Sequence, residues 1–213
     1  MSETVYTNHG NTESIDISEI YPESKGLNAP YVYDQDVVLD FINTVFDNGI
    51  PDGATPLVWA SKHNGKIGVP LQLGVAGLKR KMEEAKAHGL YFNTCSFYPE
   101  NNRLNHKHKS FAALHVIVAD DVGTKVNGQE LLDRNLTPTY IIESSEGNFQ
   151  YGYVLDEAIT NLAHASAAVA SFKCAGITDE GGVMAGKIVR LPGGINGKKI
   201  DGKESFNVRL VSD

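Results

Sequence analysis

Cysteine is almost missing from this 213-residue chain, which has only two. Cys95 and Cys174 lie far apart and form no pair with metal-ligand spacing. A disulfide framework and a thiolate zinc site are therefore excluded, and buried free thiols in a reducing cytosol are expected. No apolar run approaches the roughly 18 residues that span a bilayer, so no membrane contact is expected. The first twenty residues lack a basic start and an apolar core, which argues against a signal peptide. An excess of positive charge is missing as well, with 19 Lys and Arg against 26 Asp and Glu and a net charge of −7. Strong, indiscriminate duplex binding relies on neutralising phosphates and is disfavoured.

The acidity is unevenly placed. Residues 1–60 hold ten acids and one base, net −9, and the remainder is net +2, which together give −7. Residues 1–30 are polar and turn-rich, and are expected to form a flexible acidic arm. Beyond them, Val37, Val38, Phe41, Ile42 and Val45 mark one face of a helix from Asp36 to Phe46. A strand over Pro56–Ser61, a helix over Leu73–His88 and a strand over Leu90–Phe97 follow. Tyr98–Ser110 reads as a polar loop, and Phe111–Ala119 as a strand. A short helix at Gln129–Arg134 precedes a hairpin over Thr139–Leu155. An Ala-rich helix is expected from about Asp156, as N-cap, to Cys174. Strands near Arg190 and over Phe206–Val211 complete the chain, which shows no internal repeat.

Three segments carry chemistry. In HVIVADDVGTKV, from His115 to Val126, an apolar run ends in Asp120 and Asp121 and then a glycine turn. Carboxylates at a strand mouth suit a hard divalent cation and leave positions open for phosphates. The same letters also describe a strand simply leaving the core. In TPTYIIESSEGNFQYGYVL, two β-type runs flank a tight turn that presents Asn148 and Gln150. In KIVRLPGGINGKK, a short strand delivers Arg190 into a Pro-Gly-Gly loop followed by Asn196, Lys198 and Lys199, a set of backbone amides and cations that suits phosphate. Lys187 and Lys203 extend this cationic cluster. Arg103, Lys107 and Lys109 with His106 and His108 form a second, and Lys109 is placed to reach back to the acidic site.

In this order the segments resemble the RepB-like primases of phages and plasmids, a branch of the archaeo-eukaryotic primase-polymerase superfamily. The likeness covers roughly residues 90–210 and rests on FAALHVIVADDVGTK, ESSEGNFQYGY and IVRLPGGINGK. It implies an α+β, RRM-like primase-polymerase catalytic core over residues 31–213, with a mixed or antiparallel sheet flanked by helices. It further implies a DNA primase or polymerase that joins nucleotides with Mg²⁺ or Mn²⁺. Asp120 and Asp121 would hold metal, and Asn148, Gln150, Arg190, Asn196, Lys198 and Lys109 would bind nucleotide. The third carboxylate is expected among Glu143, Asp156, Asp179 and Glu180, with Asp179 favoured because the RepB-like pattern tends to place an acid there. A capped helix C-terminal loop explains that segment equally well. Single-stranded DNA template, nucleoside triphosphates and a replicative helicase or other replication protein are the implied partners, in the cytoplasm of a bacterial host.

Two departures from the superfamily matter. Many members alternate two aspartates along a strand, whereas Asp120 and Asp121 are neighbours, which face opposite ways on a regular strand. They converge only if the chain is already turning at Val122-Gly123. Gln150 stands where a histidine is frequent, and it can hydrogen-bond but carries no charge. By alternation His115 shares a face with Ile117, Ala119 and Asp121, as a satisfied histidine. Two other functions stay open. One is a non-catalytic replication-initiation or single-strand-binding module of the same fold. The other is a nuclease or relaxase, which should show a nucleophilic tyrosine or a true paired-histidine motif.

Overall fold

The computed structural model describes residues 35–61, 69–72, 74–84, 89–178, 185–197 and 206–212. The arm expected over 1–30 lies outside these residues, as do Asp179, Glu180 and Lys198. In chain order the elements are α1 (Gln35–Phe46), β1 (Thr55–Ser61), α2 (Gly74–Glu84), β2 (Gly89–Phe97), β3 (Phe111–Val122), α3 (Gly128–Asp133), β4 (Tyr140–Ser145), β5 (Asn148–Ile159), α4 (Leu162–Cys174), β6 (Ile188–Arg190), β7 (Ile195–Asn196), β8 (Phe206–Asn207) and β9 (Arg209–Ser212).

The main sheet runs β1-β2-β3-β5-β4-β9, with β6 also on β2, and every pairing in it is antiparallel. Helices cover both faces. Val38, Phe41, Ile42, Val45 and Phe46 recur at helical spacing on α1 and are buried against Val58, Phe92, Val116, Val118 and Tyr140, with Leu78 of α2 completing that layer. Each large side chain sunk there contributes about 1.5–3 kcal/mol. The other face packs Leu57, Trp59, Cys95, Leu114 and Ile117 against Ala165 and its neighbours on α4, while Leu131 of α3 sits with Ile141, Phe149 and Tyr151. Tyr140 lies across Gly152, where a Cβ would come 2.0 Å from the ring, and meets Phe41 edge-on at 4.7 Å.

One feature of this topology creates the site. β2 pairs with β6 through Tyr91–Asn93 but with β3 through Cys95–Phe97, so β6 is inserted where β3 parts from β2. After β6 the chain returns to the far side of the sheet, because Gly193 N–H donates to Val208 O and Val208 N–H to Gly194 O, at 2.9 Å each. The sheet therefore curls, and the diverging end of β3, the β4–β5 turn and β6 share one mouth.

Several boundaries differ from expectation. β3 runs on to Val122 instead of ending at Ala119. β5 continues to Ile159, which pairs with Leu114, so Asp156 belongs to a strand. The α4 cap is Asn161, whose Oδ1 accepts from Ala163 N–H at 2.9 Å and His164 N–H at 3.1 Å. Cys95 is buried, with burial pushing its thiol up to about 12, but Cys174 is exposed. His115 is fully buried and faces Phe46 of α1 at 4.8 Å, because pairing with β5 shifts between Leu114 and Val116 and interrupts the alternation.

Candidate active site

A bulge brings the two aspartates together. Between Ala119 and Val122 the β3–β5 register shifts, three steps on β3 matching two on β5, and Asp121 takes φ +58°, in the left-handed region. An extra residue of this kind re-aims its side chain. Asp120 Oδ1 accepts from Gln150 Nε2 at 3.1 Å, and Asp121 Oδ1 from Asn148 Nδ2 at 2.9 Å. Residues 148 and 150 alternate on β5 and point the same way, so both carboxylates do too. The convergence occurs within the strand, with the turn following it. Gly123, at φ +90°, packs so closely on the hairpin that a Cβ would lie 2.6 Å from Gly147 O. That contact fixes the spacing between bulge and turn.

Positive charge already faces each acid. Lys187 Nζ lies 3.2 Å from Asp120 Oδ2, and Lys125 Nζ lies 2.5 Å from Asp121 Oδ2. Partial burial by itself raises the Asp121 carboxyl. The hydrogen bonds from Lys125 and Asn148, aided by the charges of Lys125 and Lys187, outweigh it and hold the group below its ordinary value. Thr178 Oγ1 accepts the Asp120 N–H at 3.2 Å and ties the bulge to the segment after α4.

Across the mouth, Arg190 is buried, its Cζ 5.0 Å above the Tyr91 ring and its Nη2 donating to Asn196 Oδ1 at 2.7 Å. Asn196 Nδ2 donates in turn to Ser144 O at 2.8 Å. Burial pushes the guanidinium pKa down, opposed by Tyr91 and by the Asp120 carboxylate, and the group remains a cation. Among the described residues its buried Nη1 has no acceptor. Gln150 spans the two sides: its Oε1 accepts the Arg190 N–H at 3.2 Å while its Nε2 serves Asp120.

Asp120, Asp121, Asn148, Gln150, Arg190 and Asn196 thus assemble. Lys109 does not join them. It pairs with Glu100 beyond the start of β3, and the nine residue steps of strand from Phe111 to Asp120 amount to about 30 Å. Glu143 is buried in a pair with Arg209 and accepts Gly147 N–H at 3.0 Å, and Asp156 sits far along β5. Among the described residues no three His, Cys, Asp or Glu side chains cluster as a metal site. Sequence reading placed Lys187 only in a cationic cluster and missed Lys125 and Thr178. The four-residue step from Asp121 to Lys125 was a usable signal, whereas nothing local linked Lys187 to an acid 67 positions earlier.

The residues present suit a divalent cation in kind, with two partly exposed carboxylates converging on one side of a mouth where positive charge is already held. No family model matches the sequence, and no curated protein matches it at significant similarity. Two solved structures are similar. The primase-polymerase (PrimPol) of cyanophage S-2L, in its AEP domain, aligns at 12% identity and a TM-score of 0.56, over 82% of this chain and 89% of that one. Primase RepB′ aligns at 13% identity and a TM-score of 0.51, over 81% of this chain and 55% of that one. The chain has the RepB-like primase-polymerase fold, an α+β architecture with a curled antiparallel sheet flanked by helices.

Proposed function

We propose that this protein is a template-dependent nucleotidyltransferase, a DNA primase or primase-polymerase of a phage or plasmid replication system. The observation that carries this reading is the bulge that turns Asp120 and Asp121 to one side, opposite the buried Arg190 guanidinium. The two aspartates would hold Mg²⁺ or Mn²⁺, with Asp179 as the third carboxylate. Bound there, such cations lower the barrier to attack by a 3′-hydroxyl and steady the pyrophosphate leaving group. Arg190 and Lys198 would supply the positive charge that meets the triphosphate. Gln150 and Asn196 act through Asp120 and Arg190, since both ends of each amide are engaged. Asn148 orients Asp121 at the edge where the sugar would enter. Catalysis on this plan is positioning and electrostatics.

Pure protein incubated with single-stranded template, labelled nucleotides and Mn²⁺ should make new strands, and none should form with EDTA. Arg190→Lys should raise the apparent KM for nucleotide about tenfold. An unchanged KM removes Arg190 from the triphosphate site. A second reading is a non-catalytic replication-initiation or single-strand-binding module, favoured by the lysine already neutralising each carboxylate. It predicts a mobility shift without synthesis in the same incubation, while cut strands would indicate a nuclease.

A further inference from the structure

The two lysines at the acids are not equivalent. Lys125 sits on a surface turn, 66% exposed, four residues after its partner, an arrangement worth little in water. Lys187 is 20% exposed, and its backbone is fixed to β2 on both sides: its N–H donates to Thr94 Oγ1 and its carbonyl accepts from Thr94 N–H, at 3.0 Å each. Its ammonium meets Asp120 at Oδ2, while Oδ1 of the same carboxylate is engaged by the Gln150 amide and by the Asp121 N–H at 3.0 Å. A cation arriving at Asp120 therefore meets a lysine at Oδ2. The four-carbon stem lets the ammonium swing away while the backbone stays in place.

We propose that Lys187 is a displaceable counter-ion, a positioning residue that competes with a divalent cation for Asp120 and, once released, turns its charge to the triphosphate arriving with that cation. This rests on the nucleotidyltransferase reading and assigns to that site a coupling between metal and nucleotide binding. With Lys187 on the acid, cation alone binds weakly. When a triphosphate is present the lysine gains a further anionic partner, so each ligand strengthens the other, as reciprocal linkage requires.

The test is Mn²⁺ binding followed by electron paramagnetic resonance, with and without a non-hydrolysable nucleoside triphosphate, on the wild-type chain, Lys187→Met, Lys187→Arg and Asp120→Asn. Lys187→Met should bind Mn²⁺ alone about tenfold more tightly, because a close like charge has gone, and should lose most of the enhancement that nucleotide gives the wild type. Lys187→Arg should resemble the wild type, and Asp120→Asn should lose binding. Equal Mn²⁺ affinity in wild type and Lys187→Met, with Asp120→Asn still defective, overturns the role of Lys187 and leaves the metal site standing. Absence of Mn²⁺ binding from both wild type and Lys187→Met overturns the role and the underlying reading together.

Discussion

β3 interrupts its alternation twice, and its two ends handle polarity in opposite ways. Near its start, between Leu114 and Val116, the shift directs His115 inward to a closed neutral network: Nδ1 meets Asn48 Oδ1 at 2.6 Å and Nε2 meets Ser96 Oγ at 2.8 Å. Asn48 further donates to His115 O at 2.9 Å and Leu155 O at 2.8 Å, so one side chain just beyond α1 joins that helix to β3 and β5. Near the other end the bulge brings two like charges together, each about one-fifth exposed and answered by a lysine. Burial with satisfied neutral partners favours one arrangement. Charges at a half-open mouth, balanced by side chains that can move, suit exchange with a ligand. The same irregularity of pairing thus closes a neutral network in one place and gathers partly exposed charge in the other.

The sharpest way to break the contrast is Asp120→Asn with Asp121→Asn. Nucleotide incorporation should fall at least about 10³-fold, roughly 4 kcal/mol of transition-state stabilisation, while the thermal midpoint moves by only a few degrees. Wild-type rates would detach the bulge from catalysis, and collapse of the fold would give the acids a structural role. The converse change is Asn48→Ala, which should cost about 3 kcal/mol in urea unfolding by stranding His115 and two carbonyls, with Mn²⁺ affinity unaltered. A loss below about 1 kcal/mol would show that the network is replaceable by water.

Acid should expose the same asymmetry. Burial pushes His115 down to about 4, against about 6.5 in an unfolded chain, so the unfolded state binds more protons between those values. Its contribution is complete above pH 6.5 and is lost as pH falls toward 4, about 3 kcal/mol in all. The urea midpoint should decline over that window in the wild type and decline less in His115→Gln. Equal slopes would move the acid sensitivity elsewhere. The smallest effect is expected from Gly123→Ala, where positive φ and the near contact with Gly147 O together cost about 1–2 kcal/mol. Unchanged stability there would mean that the hairpin tip yields easily.

Much of this architecture was legible in the residues. The α1 stripe, the Arg190 strand and the hairpin around Gly147 follow from periodicity and turn chemistry, and the order of the three motifs pointed to the fold. What escaped depended on partners distant in the chain. Nothing in the letters after Leu155 reveals that Ile159 pairs with Leu114, so the strand seemed to stop and Asp156 seemed a cap, although Asn161 before an alanine-rich run was the better signal. Likewise Asp-Asp-Val-Gly suggested a turn, where β5 in fact imposes a bulge inside continued pairing. Lys109 seemed near the acids only because it leads into the strand that carries them, and the length of that strand is what separates them.

Position 150 uses both ends of its carboxamide. A carboxamide is polar end to end, and here its N–H donates a hydrogen bond to the Asp120 carboxylate while its oxygen accepts one from the backbone of a different strand. Glutamate keeps the shape but surrenders the donor and sets anion beside anion, while leucine silences both ends. The orientation of the Asp120 carboxylate and the seating of the strand that carries Arg190 are in this way governed by which way a single uncharged group faces.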